Sequence, residues 1–166
     1  SMKVKSRGVR GHLIFQAMLD LDRLEEIDKA GLPARATERG YLELFLHLAW
    51  LQRGDANRAT EWYEKAMADF TDGDPTTKTV AAAFAGLKEH ELSARLSGIA
   101  FRPEERMLTS LTAAARSTGE TRQELVDLVD KLNTDSGFPR HFMDRTIKWF
   151  RNQNSDSSTN PAPQRD

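Results

Sequence analysis

The side chains best suited to proton transfer or metal binding are four histidines, His12, His47, His90 and His141. They are scattered, and none completes the carboxylate–histidine set that a helical metal site needs. His47 reads as a histidine at the edge of a core. Asp69, Asp72 and Asp74 supply the oxygen ligands that calcium accepts, but no EF-hand glycine and terminal glutamate follow at the required spacing. That cluster reads as a solvated turn. The chain carries no Gly-x-x-x-x-Gly-Lys, Gly-x-Gly-x-x-Gly or Gly-x-Ser-x-Gly sequence. It has no cysteine, which removes disulfides, thiolate metal sites and cysteine nucleophiles together. Lys3, Lys5, Arg7 and Arg10 are of a type that meets phosphate, yet they read as a frayed basic end. No catalytic residue, metal or cofactor is assigned, and the expected chemistry is binding.

The bulk properties agree with that class. The chain has 166 residues, enough for one domain with a sizeable core. A formal net charge of −1 gives no bias toward nucleic acid or anionic lipid. No run reaches the ~20 apolar residues that span a bilayer, and the basic start lacks the apolar core of a secretory signal. A cysteine-free chain of this kind suits the cytoplasm. Ser1-Met2 looks like an expression scar, so the natural protein is allowed to be longer.

The elements that position the side chains are expected to be helices. Alanine, leucine, glutamate and arginine dominate, and runs of β-branched residues are absent. A first helix is expected over about 9–30, bent near Asp20-Leu21-Asp22, with Leu13, Ala17, Leu21, Leu24 and Ile27 as its apolar stripe. Gly31-Leu32-Pro33 stops it. Further helices are expected over about 36–53, 56–70, 76–87, 91–101, 104–117, 121–133 and 139–152. Gly54-Asp55 and Asp72-Gly73-Asp74-Pro75 separate the early ones. Residues 1–8 form a disordered or tag-derived start, 9–151 the helical domain and 152–166 a disordered tail that has little to bury.

A repeat is legible within the helical domain. Ala49-Trp50 is echoed by Ala83-Phe84 thirty-four residues on, and Leu46 by Val80. Ala59 finds Ala94 one residue later than that, and Gly119-Glu120 echoes Gly54-Asp55. The stretch 40–73 reads Glu43-x-x-Leu46-His47-x-x-Trp50, then Ala59-x-x-x-Tyr63 and Ala66. This resembles one tetratricopeptide repeat, a family with a period of about 34 residues. His47 departs from the family's small residue, and the late proline, Pro75, comes four positions late. A second copy, with Gly98 and Phe101 at the positions of Tyr63 and Ala66, and a third over 107–132 are degraded. The resemblance implies an all-α fold, a short right-handed stack of helical hairpins with atypical ends. The alternative is an irregular α-helical bundle.

The resemblance also implies a concave groove built from the first helix of each repeat. Carried over, its partner-binding positions are Tyr41, Leu44, Leu48, Leu51 and Gln52, with Lys78, Ala82 and Ala85 from the next repeat. The helix over 41–52 has only Glu43, His47 and Gln52 as polar residues, so it must be covered on nearly all sides. Either the N-terminal helix packs into the groove or an external helix lies there. The last helix carries Phe138, Phe142, Met143, Thr146, Ile147, Trp149 and Phe150, which either cap the helix over 121–133 or form a homodimer face. The expected function is a non-catalytic protein–protein interaction module, a scaffold or assembly adaptor that binds a peptide or partner helix in an apolar groove. The alternative is an accessory helical domain of a larger multidomain enzyme that supports binding or oligomerisation.

Overall fold

The computed structural model describes residues 14–32, 36–134 and 139–159. Every regular element among them is helical. Helix α1 covers 14–20. It breaks at Leu21-Asp22, where Asp22 takes a φ of 59°, and α2 resumes over Leu24–Ala30. The bend expected in the first helix is therefore a full break. Gly31, with a φ of 79°, ends α2. Then come α3 (Ala36–Arg53), α4 (Ala56–Thr71), α5 (Pro75–Gly86), α6 (Glu89–Ser97), α7 (Pro103–Ala115), α8 (Gly119–Asn133) and α9 (Arg140–Thr159).

The joints follow from local chemistry. Gly54 ends α3 with a φ of 87°, a left-handed conformation that costs glycine nothing. Asp55 then caps α4 by accepting the backbone N–H of Arg58 at 3.0 Å. Asp74 caps α5 in the same way through Thr77, at 2.9 Å. Pro75 and Pro103 stand in the first turns of α5 and α7, where the missing N–H has no partner to lose.

Helix α3 is the centre of the molecule. Nine consecutive residues, Leu42 to Trp50, are buried. It packs against α2, α4, α7 and α9. The α3–α4 and α7–α8 hairpins are the most closely packed pairs of helices. In a solenoid each unit touches only its neighbours in sequence. Here α7 and α9 return to α3, so the hairpins close around one central helix. The physical cause is the apolar circumference of α3, which a one-sided stack would leave wet.

Two sequence expectations change at the ends of the domain. The apolar stripe of α1 is Phe15 and Leu19, both buried, while Ala17 and Leu21 are exposed. The break at Asp22 resets the helical phase, so the stripe of α2 (Leu24, Ile27) does not extrapolate back into α1. Leu13 lies outside the described residues, as do residues 1–8. The expected tail boundary at 152 also moves, because α9 continues to Thr159. No proline falls between Pro139 and Pro161, and a helix nucleated by its packed first half extends with little further cost. Residues 160–166 lie outside the described part.

Helix α9 uses its apolar face within the molecule. Phe142, Met143, Thr146, Ile147 and Phe150 are all buried, and α9 packs on α8 and α3. The Phe142 ring meets Phe45 at 5.6 Å between centroids, and Phe45 in turn meets Phe15 at 6.0 Å. The homodimer face expected on this helix is thus interior. Trp149 is the part of it left half-buried, and Phe138 lies outside the described residues. No helix among the described residues is long and apolar enough to cross a membrane.

Candidate functional site

Three helices begin around one cleft. The first half of α3 contributes Glu38, Tyr41, Leu42 and Phe45. The start of α5 contributes Asp74, Thr76 and Thr77, and the start of α7 contributes Arg102, Glu104, Glu105 and Leu108, with Ala100 before it. The cleft holds about 560 Å³. Its floor is apolar and largely buried: Leu42, Phe45 and Leu108. Among the described residues its rim carries four carboxylates, Glu38, Asp74, Glu104 and Glu105, and the guanidinium of Arg102.

The local sequence explains why acids gather there. Helix N-termini carry partial positive charge and unpaired N–H groups, and carboxylates complement both. Asp74 caps α5, and Glu105 accepts the backbone N–H of Arg102 at 3.1 Å. A capping carboxylate complements the partial positive charge of about half a unit at the helix end. The Tyr41 hydroxyl registers this field. Its pKa is raised by burial first and then by the carboxylates of Glu105 and Asp74.

The groove positions taken from the family resemblance are dispersed. Tyr41 lines the cleft. Leu44 and Leu48 are 0% and 1% exposed and belong to the core, which corrects the expectation that they bind a partner. Leu51 is half-buried against that core. Gln52 is half-buried and donates from Nε2 to Thr146 Oγ1 of α9 at 2.8 Å. Lys78, Ala82 and Ala85 are exposed on α5 outside this cleft. The all-apolar helix over 41–52 thus gains its cover from the protein's own helices. Sequence reasoning missed Glu38, Leu42, Phe45, Asp74, Thr76, Glu104, Glu105 and Leu108 as a group. The break at Asp72-Gly73-Asp74-Pro75 marked one helix start, but nothing in the sequence said that it and the start of α7 flank the start of α3.

Two buried titratable groups among the described residues lie outside the cleft. His47 is 4% exposed, and its Nδ1–H donates to the Ala59 carbonyl oxygen at 2.8 Å. Nε2 is left as the acceptor and faces the Arg116 guanidinium at 3.4 Å. Burial lowers its pKa to about 4; the bond to Ala59 opposes that shift, and Arg116 adds to it. His47 is therefore a neutral bridge between α3 and α4. Glu43 is also 4% exposed, and its Oε1 has no hydrogen-bond partner. Burial pushes its pKa up to about 8, and a hydrogen bond to Asp69 with that residue's charge pushes the same way, against Arg39 and Lys65. Asp69 accepts both arms of Arg39, at 3.0 and 3.2 Å. Burial alone would raise the Asp69 pKa, but the bonds from Arg39 and Glu43 hold it below its ordinary value. Glu43 is thus the protonated member of a carboxyl–carboxylate pair that joins α3 to α4.

Trp50 is 3% exposed, and the guanidiniums of Arg53 and Arg58 stand 5.0 and 4.4 Å from its ring centroid. Arg53 pairs with Asp22 and Glu25, and Arg58 with Asp28. These pairs fasten the α1–α2 joint and α2 over the α3–α4 turn. Among the described residues no group of histidines and carboxylates is arranged to hold a metal ion. Comparison with known proteins returned no matching family model, no matching curated protein and no matching solved structure.

Proposed function

We propose that this chain is a non-catalytic protein–protein interaction module, a scaffold or adaptor similar in its hairpins to tetratricopeptide repeats. On this reading a partner segment lies in the cleft between α3, α5 and α7. The observation that carries it is the pairing of an apolar floor (Leu42, Phe45, Leu108) with four rim carboxylates in about 560 Å³. Apolar anchors seated in a pocket supply most of the binding energy at an interface, and rim charges supply rate and specificity. The matching ligand is a peptide segment with one or two apolar side chains flanked by lysine or arginine. Such a module would work in the cytoplasm, which a cysteine-free chain suits.

Selection from a random peptide library tests the reading. Enriched sequences are expected to carry basic residues around an apolar anchor. Their affinity is expected to fall at least tenfold for a Glu38→Gln/Glu104→Gln double variant, and to fall again with added salt as rim charges are screened. Enriched peptides that bind this variant and the parent equally would remove the cleft from the mechanism.

A further inference from the structure

A second cavity lies at the other end of α3. The C-terminal turn of α3, the α1–α2 joint and one stripe of α9 enclose about 340 Å³. Ala49 and Phe142 form its buried floor. Trp149 forms a half-buried wall, and its ring is fixed edge-on against Phe150 at 5.0 Å between centroids.

The charges on this cavity do not cancel. Asp22 and Arg53 both line it, but they pair with each other at 3.2 Å. That leaves Arg145 and Lys148, three residues apart on α9 and therefore on one face of it. Among the described residues neither of them forms an ion pair. Arg145 donates from Nη1 to the Asp20 carbonyl oxygen at 2.6 Å and from Nη2 to that of Leu19 at 2.8 Å. Neutral carbonyls hold its guanidinium in place without neutralising it, and further N–H donors remain on the group. It stands 5.9 Å from the centroid of the Phe142 ring, over the apolar floor. A positioned cation above a concave apolar wall concentrates positive potential inside the cavity.

We propose that this cavity between α3 and α9 binds a small organic anion, a carboxylate or phosphate carried on a planar apolar ring. The ring lies against Trp149 and the floor. The acidic group lies between the Lys148 ammonium and the remaining N–H groups of Arg145, where it gains charge-assisted hydrogen bonds. The volume is at the small end of ligand pockets, which suits a body of one or two rings. The site is independent of the carboxylate-rimmed cleft, and its charge has the opposite sign.

The test titrates the full chain with 2-naphthoate, 2-naphthyl phosphate and uncharged 2-naphthylmethanol, following backbone amide and indole N–H signals. The chain has three tryptophans, so Trp50 and Trp62 serve as internal references for Trp149. Both anions are expected to shift the Trp149 indole and the amides of Ala49 and Lys148, and to bind at least tenfold more tightly than the alcohol. A tighter fit for the naphthoate assigns a carboxylate, and a tighter fit for the phosphate ester assigns a phosphate. Lys148 is exposed, so Lys148→Gln is expected to melt like the parent. That variant is expected to bind each anion about fivefold more weakly and the alcohol equally well, and added salt is expected to act in the same direction. Three results would overturn the proposal: anions that bind no better than the alcohol, anion affinity untouched by Lys148→Gln, or shifts confined to the apolar hollow lined by Ile14, Met18, Ile27 and Leu32.

Discussion

The protonated Glu43 and the neutral His47 lie one turn apart on α3, and they make stability respond to pH in opposite senses. Glu43 titrates near pH 8 in the folded chain, against an ordinary value of 4.5. Between those values the folded state holds a proton that the unfolded state has lost, so stability falls as pH rises. His47 titrates near 4, against 6.5. Between those values the unfolded state holds the extra proton, so stability rises with pH. The two slopes oppose each other between about pH 4.5 and 6.5, leaving Glu43 to dominate from 6.5 to 8. Glu43→Gln keeps the shape and a donor for Asp69 but cannot ionise. Denaturant midpoints are expected to decline from pH 6.5 to 8 in the parent, by at most about 1.4 kcal/mol per pH unit, and to stay flat over that window in the variant. A variant that tracks the parent would show that Glu43 is already ionised at pH 6.5.

Residue-scale packing also explains a glycine with no special backbone angle. Gly40 lies inside α3, where alanine would ordinarily gain up to about 1 kcal/mol of helix propensity. A Cβ there would sit 2.4 Å from Phe70 Cε1, and Phe70 is a 1%-exposed ring at the end of α4. The ring also packs at a tilt against Tyr41, at 4.8 Å between centroids, which restricts its escape. Gly40→Ala is therefore expected to lower stability by about 1–3 kcal/mol, as overpacking does. A thermal melt at or above the parent's would show that α3 and α4 can separate at this point without cost.

At the scale of elements, α3 is the test of whether the fold is an open stack or a closed one. Leu48 is 1% exposed although the sequence resemblance placed it in a groove. Leu48→Lys would place an unpaired charge in the core, at a cost of several kcal/mol. It is expected to abolish cooperative melting at neutral pH. A folded Leu48→Lys protein with an unchanged melting temperature would mean that α7 and α9 do not cover α3 in solution. Helix α9 shows the complementary point. Its apolar face was legible as an unsatisfied surface, and whether a second molecule or the chain itself would satisfy it depended on where α9 is delivered. The Phe142 N–H donates to Asp20 Oδ1 at 2.8 Å, and Arg145 donates to the carbonyls of Leu19 and Asp20. These bonds seat α9 against the end of α1, which no sequence periodicity anticipates.

At the scale of the whole molecule, the sequence by itself determined the all-α class, most helix boundaries and the joints. These depend on interactions a few residues apart: Gly54 ends α3, Asp55 caps α4, and Asp74-Pro75 opens α5. It also determined that α3 would be covered on nearly all sides, because nine adjacent buried positions follow from a helix that is apolar on nearly every side. Only the tertiary structure decided what covers it. The return of α9 to α3 depends on contacts such as Gln52–Thr146 and Phe45–Phe142, between residues nearly a hundred positions apart. A local pattern carries no information about such pairings. The same long-range closure moved the candidate site from the leucine face of α3 to the cleft where α3, α5 and α7 begin. Capping chemistry put each acid in place for its own helix, and the fold alone brought those acids to one rim.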